Sequence, residues 1–442
     1  MRAGGSLRVA KAWMLALGMV TVTVATAAAQ QPPPPAPPAA PPGGGAGGDQ
    51  GPEYFEEPAP EWAFDWGTDT TFTLSNRAEG STNETNDKTT PFDALWMRLF
   101  GHLRYGDRAE LAIDLFATES HSPSLFGLYG KVVVDRFLGF RVGLLPLVFG
   151  AWQDRAYPSR QPLIGVPLHS QYLLGLRNGA LPEDLASLRW WRQPGYDSGA
   201  PEYGIWGTLA YEHCWDTGIE AFGDAGSLHY RVAVMDGTPG FPAAKWRLEK
   251  NGGSVQGRLT YHIGDALRLG ASAASGSYLL NDVADELPAG TKVTDYRQDL
   301  LGGDIQIVRG PWEVNADYVF SRVDSPFTAQ DADPARANLD THGYSGELAL
   351  DVAPGVTVSG RVSGLVFGKV ATHGSGSLSG VYGAPGGTSV AWDDNVTRLE
   401  AGARYRWWQD HVALKAVYQR TWVESTPRRI ESLAALQLVF SR

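Results

Sequence analysis

Apolar and polar residues alternate along most of this chain, and the clearest case lies near its end. Between residues 397 and 407, Arg398, Glu400, Arg404 and Arg406 interleave with Leu399, Ala401, Ala403, Tyr405 and Trp407. A repeat of two puts successive side chains on opposite faces, which describes a β-strand with one charged and one oily face. Trp408-Gln409-Asp410 has room only for a reverse turn, after which Val412, Leu414, Ala416 and Tyr418 oppose Lys415 and Gln419. Leu436, Leu438 and Phe440 repeat the pattern. Upstream, Glu110 and Asp114 oppose Leu111, Ile113 and Leu115, and Glu313, Asn315 and Asp317 oppose Trp312, Val314, Ala316 and Tyr318.

This periodicity predicts strands near 62–75, 92–104, 108–118, 127–136, 139–149, 216–223, 227–236, 253–263, 266–279, 297–308, 312–322, 342–352, 356–369, 396–408, 411–423 and 430–440. Tight turns such as Tyr105-Gly106-Asp107, Gly264-Asp265 and Pro354-Gly355 take turns with longer polar loops, of which 150–215 is the longest. Short turns at one end, long loops at the other and strands of about ten residues are the pattern of an outer-membrane barrel. Trp312, Tyr261, Tyr405 and Tyr418, on the oily face, suit the aromatic girdles at the two membrane interfaces. A soluble β-sandwich also alternates, but it turns its oily face inward. The expected fold is all-β: a transmembrane antiparallel up-and-down β-barrel of about 16 strands with a long third external loop. The strand-like run 203–211 would make the count odd, and is assigned to that loop or to an extended sixth strand.

Residues 1–29 read as a signal peptide, with Arg2, Arg8 and Lys11 ahead of an apolar run that closes on Ala27-Ala28-Ala29. Residues 30–60 form a Pro/Gly-rich periplasmic tether, too poor in apolar surface to offset the entropy of ordering. Residues 61–442 are left for the barrel. A formal net charge of −11 with no basic cluster speaks against nucleic acid as a partner. The single cysteine, Cys214, forbids an intrachain disulfide and is expected as a small buried residue.

The phrase Phe140-Arg141-Val142-Gly143-Leu144-Leu145-Pro146-Leu147-Val148-Phe149-Gly150, which leads into 155–169, resembles the phosphate-selective porin O and P family. So does the strand end Tyr230-Arg231-Val232-Ala233-Val234-Met235-Asp236-Gly237. Over 60–442 the resemblance is one of organisation, and it implies a 16-stranded, trimeric pore whose third external loop folds into the lumen. The chain departs from that pattern twice. The family's phosphate specialists carry dense arginine and lysine ladders, which the linear sequence lacks, and Phe440 is followed by Ser441 and Arg442 where such barrels commonly end on Phe.

Two sets of residues are candidates for function. Arg98, Arg104, Lys131, Arg141, Arg231, Arg258, Arg268, Arg361, Arg398, Arg404, Arg406 and Lys415 fall on the face expected to line the pore. They outnumber Glu110, Asp114, Asp135, Asp304, Glu313, Asp317, Glu347, Asp351 and Glu400, which implies a mild anion preference unless the charges simply pair across strands. The second set, Arg155, Arg160, Arg177, Glu183 and Asp184, belongs to the long loop. Its mixed charges would either face each other across an eyelet as a constriction or pair within an external cap.

The nine histidines lack metal-ligand spacing, and no Gly-x-Ser-x-Gly, phosphate loop or His-Glu-x-x-His occurs. No metal, cofactor or catalytic residue is assigned. The expected function is a non-enzymatic porin for passive diffusion of small hydrophilic solutes, surrounded by outer-membrane lipid and lipopolysaccharide, with a homotrimer implied by the resemblance. A barrel enzyme acting on lipid or peptide, and a structural or adhesive barrel plugged by the loop, are the alternatives.

Overall fold

A computed structural model describes residues 61–442 apart from 79–80, 84–89, 120–122, 191–204, 212–214, 244–252, 330–335, 372–388, 409–410 and 426. The signal peptide, the tether and Cys214 lie outside the described residues. The strands are β1 (Trp62–Ser75), β2 (Leu95–Tyr105), β3 (Ala109–Thr118), β4 (Ser124–Asp135), β5 (Leu138–Pro146), β6 (Trp215–Ala225), β7 (Leu228–Met235), β8 (Ser254–Ile263) and β9 (Leu267–Ser277). They continue with β10 (Arg297–Arg309), β11 (Trp312–Pro326), β12 (Arg336–Ala353), β13 (Val356–Phe367), β14 (Lys369–Ala371), β15 (Ser389–Ala391), β16 (Val396–Trp407), β17 (Val412–Val423) and β18 (Arg429–Ser441).

Sixteen of these close into one barrel in chain order, while β14 and β15 pair only with each other in a loop. Every neighbouring pair is antiparallel, and β1 meets β18 from Asp69↔Ser441 to Ser75↔Ala435, so no sheet edge is left open. Each strand expected from the alternation is present. The largest differences are at the loop end, where β12 starts at Arg336 rather than 342 and β11 runs to Pro326 rather than 322. There both faces carry polar residues, so the period of two fades although pairing continues. Within 203–211, Trp206 makes a single bridge to Arg177, which places that run in the loop.

The faces are inside out relative to a soluble protein. On β17, Leu414 and Tyr418 are 43% and 49% exposed, while Lys415 and Gln419 are 1% exposed. Exposed apolar side chains recur on strands all around the wall, an arrangement that lipid stabilises and water does not. On β11 the outward face is apolar from Trp312 to Phe320 and becomes charged at Arg322, which pairs with Asp340 of β12 at 2.7 Å. Those nine residues span roughly 26 Å along the strand and about 20 Å across a membrane at a tilt near 40°, close to the ~25 Å band of such barrels.

The interior is organised by the loop between β5 and β6. Gly143 has φ +135°, and a Cβ there would meet the Leu128 carbonyl oxygen at 2.3 Å, so only glycine lets β5 deviate at this point. Beyond it Leu145, Leu147 and Val148 pack on Ala233 and Met235 of β7. Further on, Leu168, Tyr172, Leu174, Leu176 and Leu209 form an apolar core with Leu300, Val319, Leu339 and Leu365 of the wall. Gln298, on the same face as Leu300, donates to the Leu209 carbonyl at 3.2 Å, so this core sits within the loop end of the barrel.

Candidate functional site

The register brings one charged side chain from each of five successive strands into a row. Arg104 of β2 stands opposite Glu110 of β3, Glu110 opposite Lys131 of β4, Lys131 opposite Arg141 of β5, and Arg141 opposite Glu220 of β6. The contacts follow: Arg104 Nε and Lys131 Nζ each lie 3.7 Å from Glu110, Arg141 Nη1 3.2 Å from Glu220, and Arg231 Nε of β7 2.6 Å from Glu220. Arg231 faces Arg258 of β8, whose Nη1 reaches Asp304 at 2.7 Å. The side chains of Arg104, Lys131 and Arg141 are 47%, 26% and 22% exposed, although they point into a closed barrel. Arg98 pairs with Asp114, with Nε at 2.7 Å, and lies against the Tyr157 ring of the loop at 3.7 Å. Arg268 stands beside Gln306 in the register, Arg404 donates to Thr357 Oγ1 at 3.3 Å, and Arg406 lies near the turn end of β16.

Across the barrel the charged wall is covered by the loop. Arg361 of β13 is held by Glu400 (Nε to Oε2, 2.5 Å) and Glu347 (3.3 Å), and donates to the Gly165 carbonyl at 3.0 Å. Arg155 reaches the other oxygen of Glu347 at 2.5 Å. Lys415 donates to the carbonyls of Pro158 and Leu163 at 2.6 and 3.1 Å, Ser159 Oγ to Asp69 at 2.6 Å, and Trp152 Nε1 to Asp317 at 3.1 Å. Arg398 reaches Gln171 at 3.3 Å. With Val148 N on Gln256 and Gly150 N on Ser272, residues 148–171 lie inside the barrel against β8, β9, β11 to β13, β16, β17 and β1.

Two expectations need correction. Of the five loop candidates Arg155, Arg160, Arg177, Glu183 and Asp184, Arg155 and the exposed Arg160 lie at this level and the other three do not. Arg177 is buried over the Trp206 ring at 3.7 Å. The Glu183 carbonyl accepts from Ala329 N just beyond β11, and Asp184 accepts from Ser187 N at the start of Leu185–Trp190. The acid that answers Arg155 therefore comes from the wall, as Glu347, and not from the loop. The surplus of basic residues over the whole lumen also disappears. Asp65, Asp69, Asp216 and Glu220 share the inward face, and all were missed because β1 and β6 are rich in Thr, Gly and aromatic residues that blur the alternation.

His169, Asp317 and Ser345 gather under the loop, with His169 Nε2 3.1 Å from Asp317 Oδ2 and Ser345 Oγ donating to Asp317 Oδ1 at 2.5 Å. The serine's hydrogen bond goes to the carboxylate and not to the imidazole, so this trio lacks the hydroxyl-to-imidazole link of an activated nucleophile. Burial pushes the His169 pKa down, with Asp317 opposing and Arg361 reinforcing that shift.

Among solved structures, the chain is similar to Salmonella typhi OmpF in complex with daunomycin, at 10% identity and a TM-score of 0.52 over 87% of this chain and 98% of that one. An anion-selective porin from Comamonas acidovorans aligns at 10% identity and 0.48 over 86% and 99%. The outer membrane channel DcaP of Acinetobacter baumannii aligns at 9% and 0.48 over 86% and 97%. The last two fall below the level at which likeness means a shared fold. No family profile and no curated protein matches the sequence. The chain has the fold of bacterial outer-membrane porins, a closed antiparallel barrel of sixteen strands.

Proposed function

We propose that this barrel is an outer-membrane channel through which small hydrophilic solutes diffuse. The observation that carries this reading is the row Arg104, Glu110, Lys131, Arg141 and Glu220, in register across five strands, whose basic members Arg104, Lys131 and Arg141 are partly exposed inside a closed wall while Glu220 is buried beneath them. Charges that served only packing would be sealed, as they are beneath the loop on the far side. Partial exposure in the interior means that water reaches them. In this row and beside it, Arg104, Lys131, Arg141 and Arg231 exceed by one the acids Glu110, Glu220 and Asp65, the last of which pairs with Arg104 at 2.9 Å, so this wall favours anions slightly even though the lumen as a whole is balanced.

Arg104, Lys131 and Arg141 of the row, with Arg231 beside it, bring together basic side chains that lie far apart in the linear sequence, which supports a relation to the phosphate-selective porin O and P family although acids are interleaved among them. Arg155 and Arg160 act as the constriction on the loop side. The rest of the reading is an exported chain that loses 1–29, keeps 30–60 as a periplasmic tether, and assembles as a homotrimer in contact with lipid and lipopolysaccharide.

Planar-bilayer recording of the purified protein tests the proposal. Steady currents are expected, with a reversal potential of anion-selective sign in a potassium chloride gradient. Replacing Arg104, Lys131 and Arg141 by Ala should move that potential towards cations, and an unmoved value would refute the assigned wall. The apolar core inside the loop end favours a second reading, a structural barrel stopped by its own loop, which predicts no steady current.

A further inference from the structure

Beside the charged row, the same wall carries a chain of aromatic rings. Trp96 lies 5.4 Å from Phe116, Phe116 5.1 Å from Phe126, Phe126 6.4 Å from Trp215, and Trp215 stacks on Tyr129 at 6.0 Å. The Arg141 guanidinium lies 5.8 Å from the Tyr129 ring and 4.6 Å from Phe222, and Lys131 lies 5.8 Å from Phe222. Phe116, Tyr129 and Phe222 occupy inward positions, set by the alternation from Asp114, Lys131 and Glu220. Phe116 stands six residues beyond Glu110 on β3, roughly 20 Å along the strand. The chain of rings thus runs from the loop end towards the turn end.

A wall whose only task is to stay wet has no use for partly exposed rings. Trp96 and Trp215 are buried and serve packing, but Phe116, Phe126, Tyr129 and Phe222 are only partly covered. Flat apolar faces flanked by guanidinium and ammonium groups match a solute with the same two features. We infer that this wall is a track for aromatic carboxylates, whose ring stacks on Tyr129 or Phe222 while the carboxylate meets Arg141 and Lys131. The inference rests on the channel reading above and names the solute class for it.

The test is current block in planar bilayers of the full-length protein, comparing benzoate with acetate, which isolates charge, and with cyclohexanecarboxylate, which isolates apolar bulk. Benzoate is expected to half-block at a concentration about threefold to tenfold lower than either, the worth of one aromatic pairing. Phe222→Leu and Tyr129→Leu together should bring the three anions to equal potency. Equal potency in the wild type, or a benzoate advantage that survives both substitutions, overturns the track while leaving the channel standing. A protein that passes no current at all removes the channel reading and the track with it.

Discussion

Arg361→Met is the most demanding perturbation of the loop clamp. The substitution keeps the volume and removes the guanidinium that neutralises Glu347 and Glu400, whose side chains are 1% and 0% exposed. It also removes the donor to the Gly165 carbonyl. Orphaning a buried charge costs about 3–5 kcal/mol. At ~1.4 kcal/mol per decade, the population with the loop lifted from the wall rises roughly a hundred-fold to a few thousand-fold. Trypsin reads that population at Arg155 and Arg160, because cleavage follows the open fraction when opening is fast. Cleavage at these two sites should accelerate accordingly in detergent-solubilised protein, while circular dichroism still reports an intact barrel. Adding Glu400→Gln should recover part of the loss, since neighbours in one network are not additive. A cleavage rate equal to that of the wild type, with the barrel intact, would show that Arg361 does not hold the loop.

Three other outcomes are expected. Ile113→Arg places a charge on the exposed oily face of β3 and should cost about 2–4 kcal/mol in denaturant unfolding from vesicles, whereas no cost would move lipid away from that face. His169 is held below its ordinary value of 6.5 by burial, so the lifted loop takes up a proton before the packed one. The clamp is therefore complete above that value and weakens as pH falls below it, which should appear as rising urea sensitivity between about pH 7 and 5 and flatten in His169→Gln. Gly143→Ala forces a Cβ to within 2.3 Å of the Leu128 carbonyl at a positive φ and should lower the unfolding midpoint by about 1–3 kcal/mol in stability; an unchanged midpoint would mean that β5 relaxes around it.

Much of the barrel was legible in the chain. The inward positions of all twelve basic residues follow from counting by twos, as Lys415 and Gln419 against Leu414 and Tyr418 illustrate. The row Arg104, Glu110, Lys131, Arg141 and Glu220 was not legible, because each strand contributes one member and nothing in the spacing of 104, 110, 131, 141 and 220 reveals that they align. Nor were the partners of the loop, whose folding into the lumen only the family resemblance implied. Its arginines looked like partners for Glu183 and Asp184, but Arg155 found Glu347, 192 residues away. The sequence by itself determined which face of each strand is oily, since side-chain direction along a strand is a local property of the backbone. Only the tertiary structure decided which charges meet, because register and loop placement are set by contacts between residues far apart in the chain, and no local pattern carries them.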